Sequence, residues 1–253
     1  MADYSAFTLG FLALAGFIGS FVDSVVGGGG LITAPALMAT GIPIPYVLGT
    51  GKVNVIGTLM SFFTFYRSGK IDKKALRAMP LSFLGGAVGA MTVNALPEYV
   101  MRYIVVTCLV VVAFYTFFRK DWGEVELYRF SAKRTSIAIA LLALALGYYD
   151  GFFGPGAGTF LLFGFLAVGF DFVKAAGNAK ACNVGSNLGA LCVFISAGKV
   201  IIPYAIVMGI VQLLGARVGA KMAISKGAKF VRPLFLVITT LLIGKQVYEL
   251  FLK

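Results

Sequence analysis

The sequence predicts an all-α integral membrane protein with about ten membrane segments, arranged as two inverted repeats of five segments each. Three observations lead to this prediction. Of the 253 residues, 59% are hydrophobic and only 13% are charged, whereas soluble domains average about 45–50% apolar and about 25% charged residues. Apolar stretches recur along the whole chain. Motifs of the first half also return, in the same order, in the second half.

Eight apolar stretches approach or reach the roughly 20 residues that a helix needs to cross a bilayer. They cover residues 7–26, 47–66, 79–96, 99–118, 135–153, 175–197, 201–220 and 231–250. Two shorter apolar segments, 30–41 and 156–169, directly follow glycine-rich motifs. A helix of about 12 residues cannot cross about 30 Å of hydrocarbon in a straight line, so we expect each segment to be a short, broken helix.

Five short motifs mark the internal repeat. "FVDSVVGGGGL", which contains Asp23, aligns with "YYDGFFGPGAG", which contains Asp150. "GTGKVNVIGT" resembles "GNAKACNVGS" after a slip of one residue, which places Lys52 on Lys180. "RSGKI" resembles "ISAGKV", "LGGAVGA" resembles "LGARVGA", and "YVMRY" resembles "FVRPL". Five matches in the same order indicate two related halves.

The repeat divides the chain into a first transmembrane repeat, 1–118, a linker, 119–134, and a second transmembrane repeat, 135–253. Lys and Arg number 22 against 10 Asp and Glu, but these cations lie between apolar stretches rather than on one soluble face. That distribution is typical of the loops of a membrane protein and argues against nucleic-acid binding. We expect a multi-pass protein of the plasma (inner) membrane, with the lipid bilayer around it.

Charge in the loops predicts how the two repeats face. Loop 67–77 carries five Lys or Arg residues, whereas its counterpart around 196–206 carries one. Loop 91–98 carries none, whereas its counterpart, 221–232, carries four. Because positive charge marks cytoplasmic loops, matching loops should lie on opposite sides of the membrane. Both termini are then outside, and the linker 119–134 is cytoplasmic.

The residue types present argue against an enzyme, a metal site and a bound cofactor. The chain has no His, which removes imidazole from any metal site or proton relay. Its cysteines, Cys108, Cys182 and Cys192, fall in apolar stretches and lack metal-ligand spacing. Few acidic groups remain from which a catalytic site could be built.

The glycine-rich motifs predict an anion site. Glycine costs about 1 kcal/mol in a helix interior relative to alanine, so a cluster inside an apolar segment needs a reason. A helix that begins within the membrane offers free N–H groups and the positive end of its dipole to an anion. The predicted contacts are Gly27, Gly28, Gly29, Gly30, Gly154, Gly156 and Gly158. In contrast, Gly85, Gly89, Gly215 and Gly219 fit the small-xxx-small pattern of close helix packing.

The second half predicts which glycines tolerate change. Gly28 aligns with Pro155, and Gly30 aligns with Ala157. We therefore expect Gly28→Pro and Gly30→Ala to be mild substitutions. Gly27 and Gly29 align with Gly154 and Gly156, so both halves have glycine at these positions. We therefore expect valine at Gly27 or Gly29 to abolish transport.

Polar residues near the glycine motifs complete the predicted site. Lys52 and Lys180 each begin an apolar helix, where they either attract an anion or pair with Asp. Asn183 and Asn187 share a helix face with Lys180, and Asn54 follows Lys52. The carboxylates Asp23 and Asp150 either take part in proton coupling or hold a lysine or the N–H groups of the glycine turn.

The chain resembles the TauE/SafE family of sulfite exporters and sulfonate permeases. The resemblance rests on "GFIGSFVDSVVGGGGLITAPAL", "GYYDGFFGPGAGTF", "NAKACNVGSNLGAL" and "LLGARVGAKMAISKG", and it extends over nearly the whole chain. It implies a secondary transporter that moves a small organosulfur anion, such as sulfite or a sulfonate. Alternating access of two inverted repeats would expose a site at the membrane midplane.

An anion channel, or a carrier for another small anion, is the alternative. The anion, the direction of transport, proton coupling and homo-oligomerisation stay open at this stage.

Overall fold

The computed structural model describes residues 3–101, 103, 104, 107 and 132–251, with side chains up to 227, and shows no strand among them. The first half contains α1 Ala6–Val26, α2 Gly30–Ala39, α3 Ile44–Gly51, a 3-10 turn Lys52–Asn54, α4 Val55–Arg67 and α5 Lys73–Asn94. The second half contains α6 Ala132–Phe152, α7 Ala157–Val168, α8 Phe172–Ser196 and α9 Ile202–Phe251. Helix α9 bends at Gly227, whose φ of 61° is not helical. The predicted span 99–118 and the linker 119–134 lie largely outside the described residues.

Among the described residues, four helices are long and apolar enough to cross a membrane: Ala6–Val26, Lys73–Asn94, Lys133–Phe152 and Ile202–Gly227. Large apolar side chains on them are exposed, with exposed fractions of 86% for Phe7 and 62% for Leu141. Surfaces of this kind are stable in lipid rather than in water. The protein is therefore a multi-pass membrane protein.

Both short helices predicted after the glycine motifs are confirmed. Helix α2 covers Gly30–Ala39 and helix α7 covers Ala157–Val168, and both are apolar. At 10 and 12 residues, each is too short to cross about 30 Å of hydrocarbon, because a helix rises about 1.5 Å per residue.

The continuous span predicted over 47–66 is wrong. The chain forms α3, tightens into a 3-10 turn at Lys52–Asn54 and only then continues as α4. The matching helix of the second half, α8, runs unbroken over Phe172–Ser196. The one-residue slip in the sequence alignment lies before this break, because Gly49 and Lys52 already align with Gly177 and Lys180. A mid-helix 3-10 turn often marks a functional position, and here it carries a buried lysine.

The first helix of each half packs against a helix of the other half. Helix α1, the first of its half, packs along α9 of the second half, and α6, the first of the second half, packs along α5. Helix α5 also packs on α8, and α9 packs on α4. The two halves therefore form one body in which every long helix has a neighbour from the other half.

Small residues allow these helices of the two halves to pack closely. A Cβ at Gly85, Gly89, Gly215 or Gly219 would overlap a main-chain carbonyl of the facing helix. The prediction that these four glycines allow close helix packing is confirmed. Close backbone approach of this kind is a usual means of helix association in membranes.

Candidate functional site

The two glycine motifs form sharp turns that touch each other. Helix α1 ends at Val26, and Gly27 and Gly28 follow with φ of 78° and 82°, which favours glycine. A Cβ built on Gly158 would lie 3.0 Å from the Cα of Gly27, and one on Gly30 would lie 2.9 Å from the Cα of Pro155. Neither turn has room for a side chain where it meets the other.

Each turn leads into a short helix whose first turn has no side-chain cap. Gly29 is the N-cap of α2 and Gly156 is the N-cap of α7, and neither can supply a capping oxygen. The first N–H groups of a helix lack partners within the helix and carry a partial positive charge. Here the carbonyls of Gly28 and Gly29 accept from the N–H groups of residues 31–33, and that of Gly154 accepts from Ala157, so only the remaining N–H groups are available to a ligand. Two such helix ends therefore lie at the same place inside the protein.

Lys52 and Asp150 form the first of two buried ion pairs beside the turns. Lys52 Nζ lies 2.9 Å from Asp150 Oδ1, and it also donates to the main-chain oxygen of Asp150. Ser186 Oγ donates to Asp150 Oδ2 at 2.5 Å, and Asn187 Nδ2 donates to the same oxygen at 2.8 Å. Both side chains of the pair are only 4% exposed.

Lys180 and Asp23 form the second pair. Lys180 Nζ lies 2.6 Å from Asp23 Oδ2, and the two side chains are 2% and 8% exposed. The sequence left two roles open for Lys52 and Lys180, attracting an anion or pairing with Asp. In the structure each lysine is paired with an aspartate. Each pair joins the two halves, because Lys52 and Asp23 belong to the first repeat and their partners belong to the second.

A cavity lies between the glycine turns and the Lys52–Asp150 pair, with an empty volume of about 510 Å³ including its opening. The structure brings most of the predicted site residues to its wall. Those that line it are Gly28, Gly30, Lys52, Asn54, Gly154, Gly156, Gly158, Asn183 and Asn187, together with Asp23 and Asp150.

Three predicted contacts lie behind this wall. A Cβ on Gly27 would overlap the backbone of Gly158, and one on Gly29 would overlap the carbonyl of Gly19. Lys180 is buried against Asp23 and does not line the cavity. These three residues therefore shape the site from behind.

Sequence reasoning missed much of the apolar wall. Phe153, Val47 and Leu48 line the cavity, as do Ala34 and Pro155. Apolar residues in apolar segments give no signal that separates a cavity wall from ordinary packing. Val47 and Leu48 belong to α3, which the 3-10 turn separates from α4. Because the sequence did not predict this break, it did not predict that α3 contributes to the cavity wall.

The geometry contradicts the mild substitutions that the repeat suggested. The φ of 82° at Gly28 is incompatible with proline, which holds φ near −65°. An alanine Cβ at Gly30 would lie 2.9 Å from the Cα of Pro155. Gly27 and its aligned Gly154 both have positive φ, but the second positive φ falls at Gly28 in one turn and at Gly156, which aligns with Gly29, in the other. The repeat alignment therefore does not predict the conformation at the second position.

Comparison with known proteins identifies similar membrane transporters. The family model "Sulfite exporter TauE/SafE" matches residues 12–245. A "Probable membrane transporter protein ORF9" from Sinorhizobium sp is 37% identical over 94% of this chain and 92% of its own length. "Probable membrane transporter protein YfcA" from Escherichia coli K12 is 36% identical over 97% of this chain and 91% of its own length.

A "Probable membrane transporter protein" from Haemophilus influenzae is 32% identical, covering 95% of both chains. No solved structure matches the chain. The family match spans nearly the whole sequence and includes both glycine turns and both ion pairs. The chain therefore belongs to the TauE/SafE family.

Proposed function

We propose that this protein is a secondary carrier that moves a small organosulfur anion, such as sulfite or a sulfonate, across the plasma membrane. The observation that carries the proposal is the cavity where two uncapped helix N-termini converge beside Lys52. Partly positive N–H groups facing a cavity inside a membrane protein are suited to anion binding. The name of the family and the names of the relatives support transport.

The donors at the cavity fit a sulfite or sulfonate group. Such a group presents three oxygen acceptors, and the cavity offers Lys52, the amide of Asn183 and main-chain N–H groups near Gly28 and Gly156. The charges of the two ion pairs cancel. Attraction for an anion therefore comes from local dipoles and from the orientation of Lys52 rather than from a net positive charge.

We further propose that the two repeats are inverted and alternate around this cavity. The unequal number of Lys and Arg residues in matching loops supports inversion, and the packing of helices from each half against the other supports a common axis. In this arrangement both termini are outside, and rocking of one half against the other exposes the cavity to each side in turn.

Cysteine labelling from each side of the membrane tests this topology. Single cysteines at Asn94 and Lys199 should react with an impermeant reagent added outside, and a cysteine at Ser225 should react only from the cytoplasm. A cysteine in the linker at 125 should also be cytoplasmic. Finding positions 94 and 225 on the same side would rule out inverted repeats.

Flux into liposomes tests the carrier itself. Purified protein should give saturable uptake of sulfite, taurine, sulfoacetate or methanesulfonate, and unlabelled anion inside should accelerate entry of labelled anion. Sulfate and chloride serve as comparison anions. Uptake that rises linearly with concentration and shows no counterflow would indicate a channel, and transport of chloride alone would contradict the proposed substrate class.

A further inference from the structure

The two carboxylates at the cavity differ in their hydrogen bonds. Both oxygens of Asp150 are used: Oδ1 accepts from Lys52 at 2.9 Å, and Oδ2 accepts from Ser186 at 2.5 Å and from Asn187 at 2.8 Å. Three side-chain donors therefore hold this carboxylate.

Asp23 has one side-chain donor. Its Oδ2 accepts from Lys180 at 2.6 Å, and no donor among the described residues bonds its Oδ1. A Cβ added to Gly158 would lie 3.3 Å from that oxygen and 2.9 Å from Asn183 Nδ2. Because Gly158 lines the cavity and has no side chain, nothing at this position separates the oxygen from the cavity. Asp23 Oδ1 is thus an unused acceptor beside the cavity.

The difference follows from the sequences of the two repeats. Ser186 and Asn187, which donate to Asp150, correspond to Thr58 and Leu59 in the first repeat. Thr58 donates to the main-chain oxygen of Asn54 at 3.0 Å instead, and leucine has no donor. The first repeat therefore lacks the two groups that would complete the hydrogen bonds of Asp23.

The charges of the two ion pairs and of a bound anion suggest a role for Asp23 Oδ1. Two lysines and two aspartates sum to zero, so a bound monovalent anion leaves one uncompensated negative charge in a low-dielectric interior. One added proton restores neutrality. A proton on Asp23 Oδ1 leaves Oδ2 free to accept from Lys180, whereas both oxygens of Asp150 already accept from side-chain donors.

No other described charged group competes for this position. Helices α2 and α7, which pack against α1, contain no charged residue. Lys52 and Asp150 line the same cavity as Asp23, and Lys180 is its partner. The remaining charged side chains on α4, α8 and the described part of α9 are exposed or lie in the first turn of a helix: Arg67, Lys174, Arg217, Lys221 and Lys226.

We propose that Asp23 is the proton-binding residue of an electroneutral symporter, taking up one proton at Oδ1 with each monovalent anion. Asp150 keeps its three side-chain donors and holds Lys52. The proposal rests on the carrier function proposed above. It distinguishes two aspartates that are equivalent in the sequence repeat.

Methanesulfonate is a suitable probe because its charge does not change between pH 5 and 8. In liposomes of the wild-type protein, an inward gradient of one pH unit should drive accumulation of about tenfold, the limit for one proton per anion. A trapped pH dye should report proton entry with the anion, and a potassium–valinomycin potential should have no effect. Asp23→Asn with Lys180→Met removes this ion pair without changing the net charge. Any counterflow that remains in this variant should come without accumulation and without the proton signal.

Asp150→Asn with Lys52→Met is the matched variant, because it removes the other ion pair and also keeps the net charge. Its ratio of pH-driven accumulation to counterflow should equal that of the wild type. Accumulation driven by sodium or by membrane potential, with no proton entry, would overturn the proposal while leaving the carrier intact. Retained proton coupling in the Asp23→Asn, Lys180→Met variant would also overturn it. If that variant fails to fold, the Asp150→Asn, Lys52→Met variant decides: retained coupling there supports Asp23, and lost coupling overturns the proposal. Absence of counterflow in the wild type would instead reject the carrier.

Discussion

Replacing Lys180 with Met should lower the free energy of unfolding by about 3–5 kcal/mol, the usual cost of removing one partner from a buried ion pair. Lys180 is 2% exposed and bonds Asp23 at 2.6 Å, so the substitution leaves a buried carboxylate without its cation. The sequence placed this lysine among the anion contacts, but in the structure it lies behind the cavity wall. We therefore expect the main effect on stability rather than on anion affinity.

The double variant Lys180→Met with Asp23→Asn should recover much of this loss, because no unpaired charge remains. Lys221→Met, at an exposed position on α9, is the control and should change stability by less than about 0.5 kcal/mol. Thermal unfolding of the purified protein in detergent measures all three. Equal stability of Lys180→Met and the wild type would show that the ion pair does not hold the halves together.

Valine at Gly27 or Gly29 should abolish transport. At Gly27 the φ is 78°, and a Cβ would overlap the backbone of Gly158. At Gly29 a Cβ would overlap the carbonyl of Gly19 and lie 2.7 Å from the Cβ of Asp23. Overpacking alone costs about 1–3 kcal/mol. At Gly27 it also separates the two turns that shape the cavity, and at Gly29 it pushes α2 away from α1.

Gly30→Ala should likewise impair transport, because of its contact with Pro155, although the repeat alone suggested tolerance. Gly10→Ala is the control, since no atom lies within 4 Å of its Cβ position. The measurement is initial flux per folded transporter, with folding judged by gel filtration. Normal flux through Gly27→Val would mean that contact between the turns is not needed for transport.

The sequence predicted the parts of the fold that depend on local signals. Apolar length identified the long helices, and the glycine motifs correctly predicted short helices beginning near Gly30 and Ala157. The break at Lys52–Asn54 was missed because its partner, Asp150, is 98 positions away. Local hydropathy contains no information about a contact at that separation.

The repeat identified the site residues but not their pairing. Aligning Asp23 with Asp150 and Lys52 with Lys180 is equally compatible with pairs inside each half and with pairs across the halves. Only the packing of α1 against the second half and of α6 against the first decides for pairs across the halves. The difference between the two aspartates also depends on this packing, since it arises from which donors reach each carboxylate.

Protection of a cysteine in the cavity wall tests the central claim most directly. Ala34 lines the cavity, so Ala34→Cys in a protein without Cys108, Cys182 and Cys192 places a thiol beside the proposed anion site. We expect an impermeant thiol reagent to label it from either side of the membrane, and methanesulfonate to slow labelling while leaving Ala197→Cys, at an exposed position, unaffected. Labelling at the same rate with and without methanesulfonate, in a protein that transports it, would contradict the assignment of this cavity as the transport site.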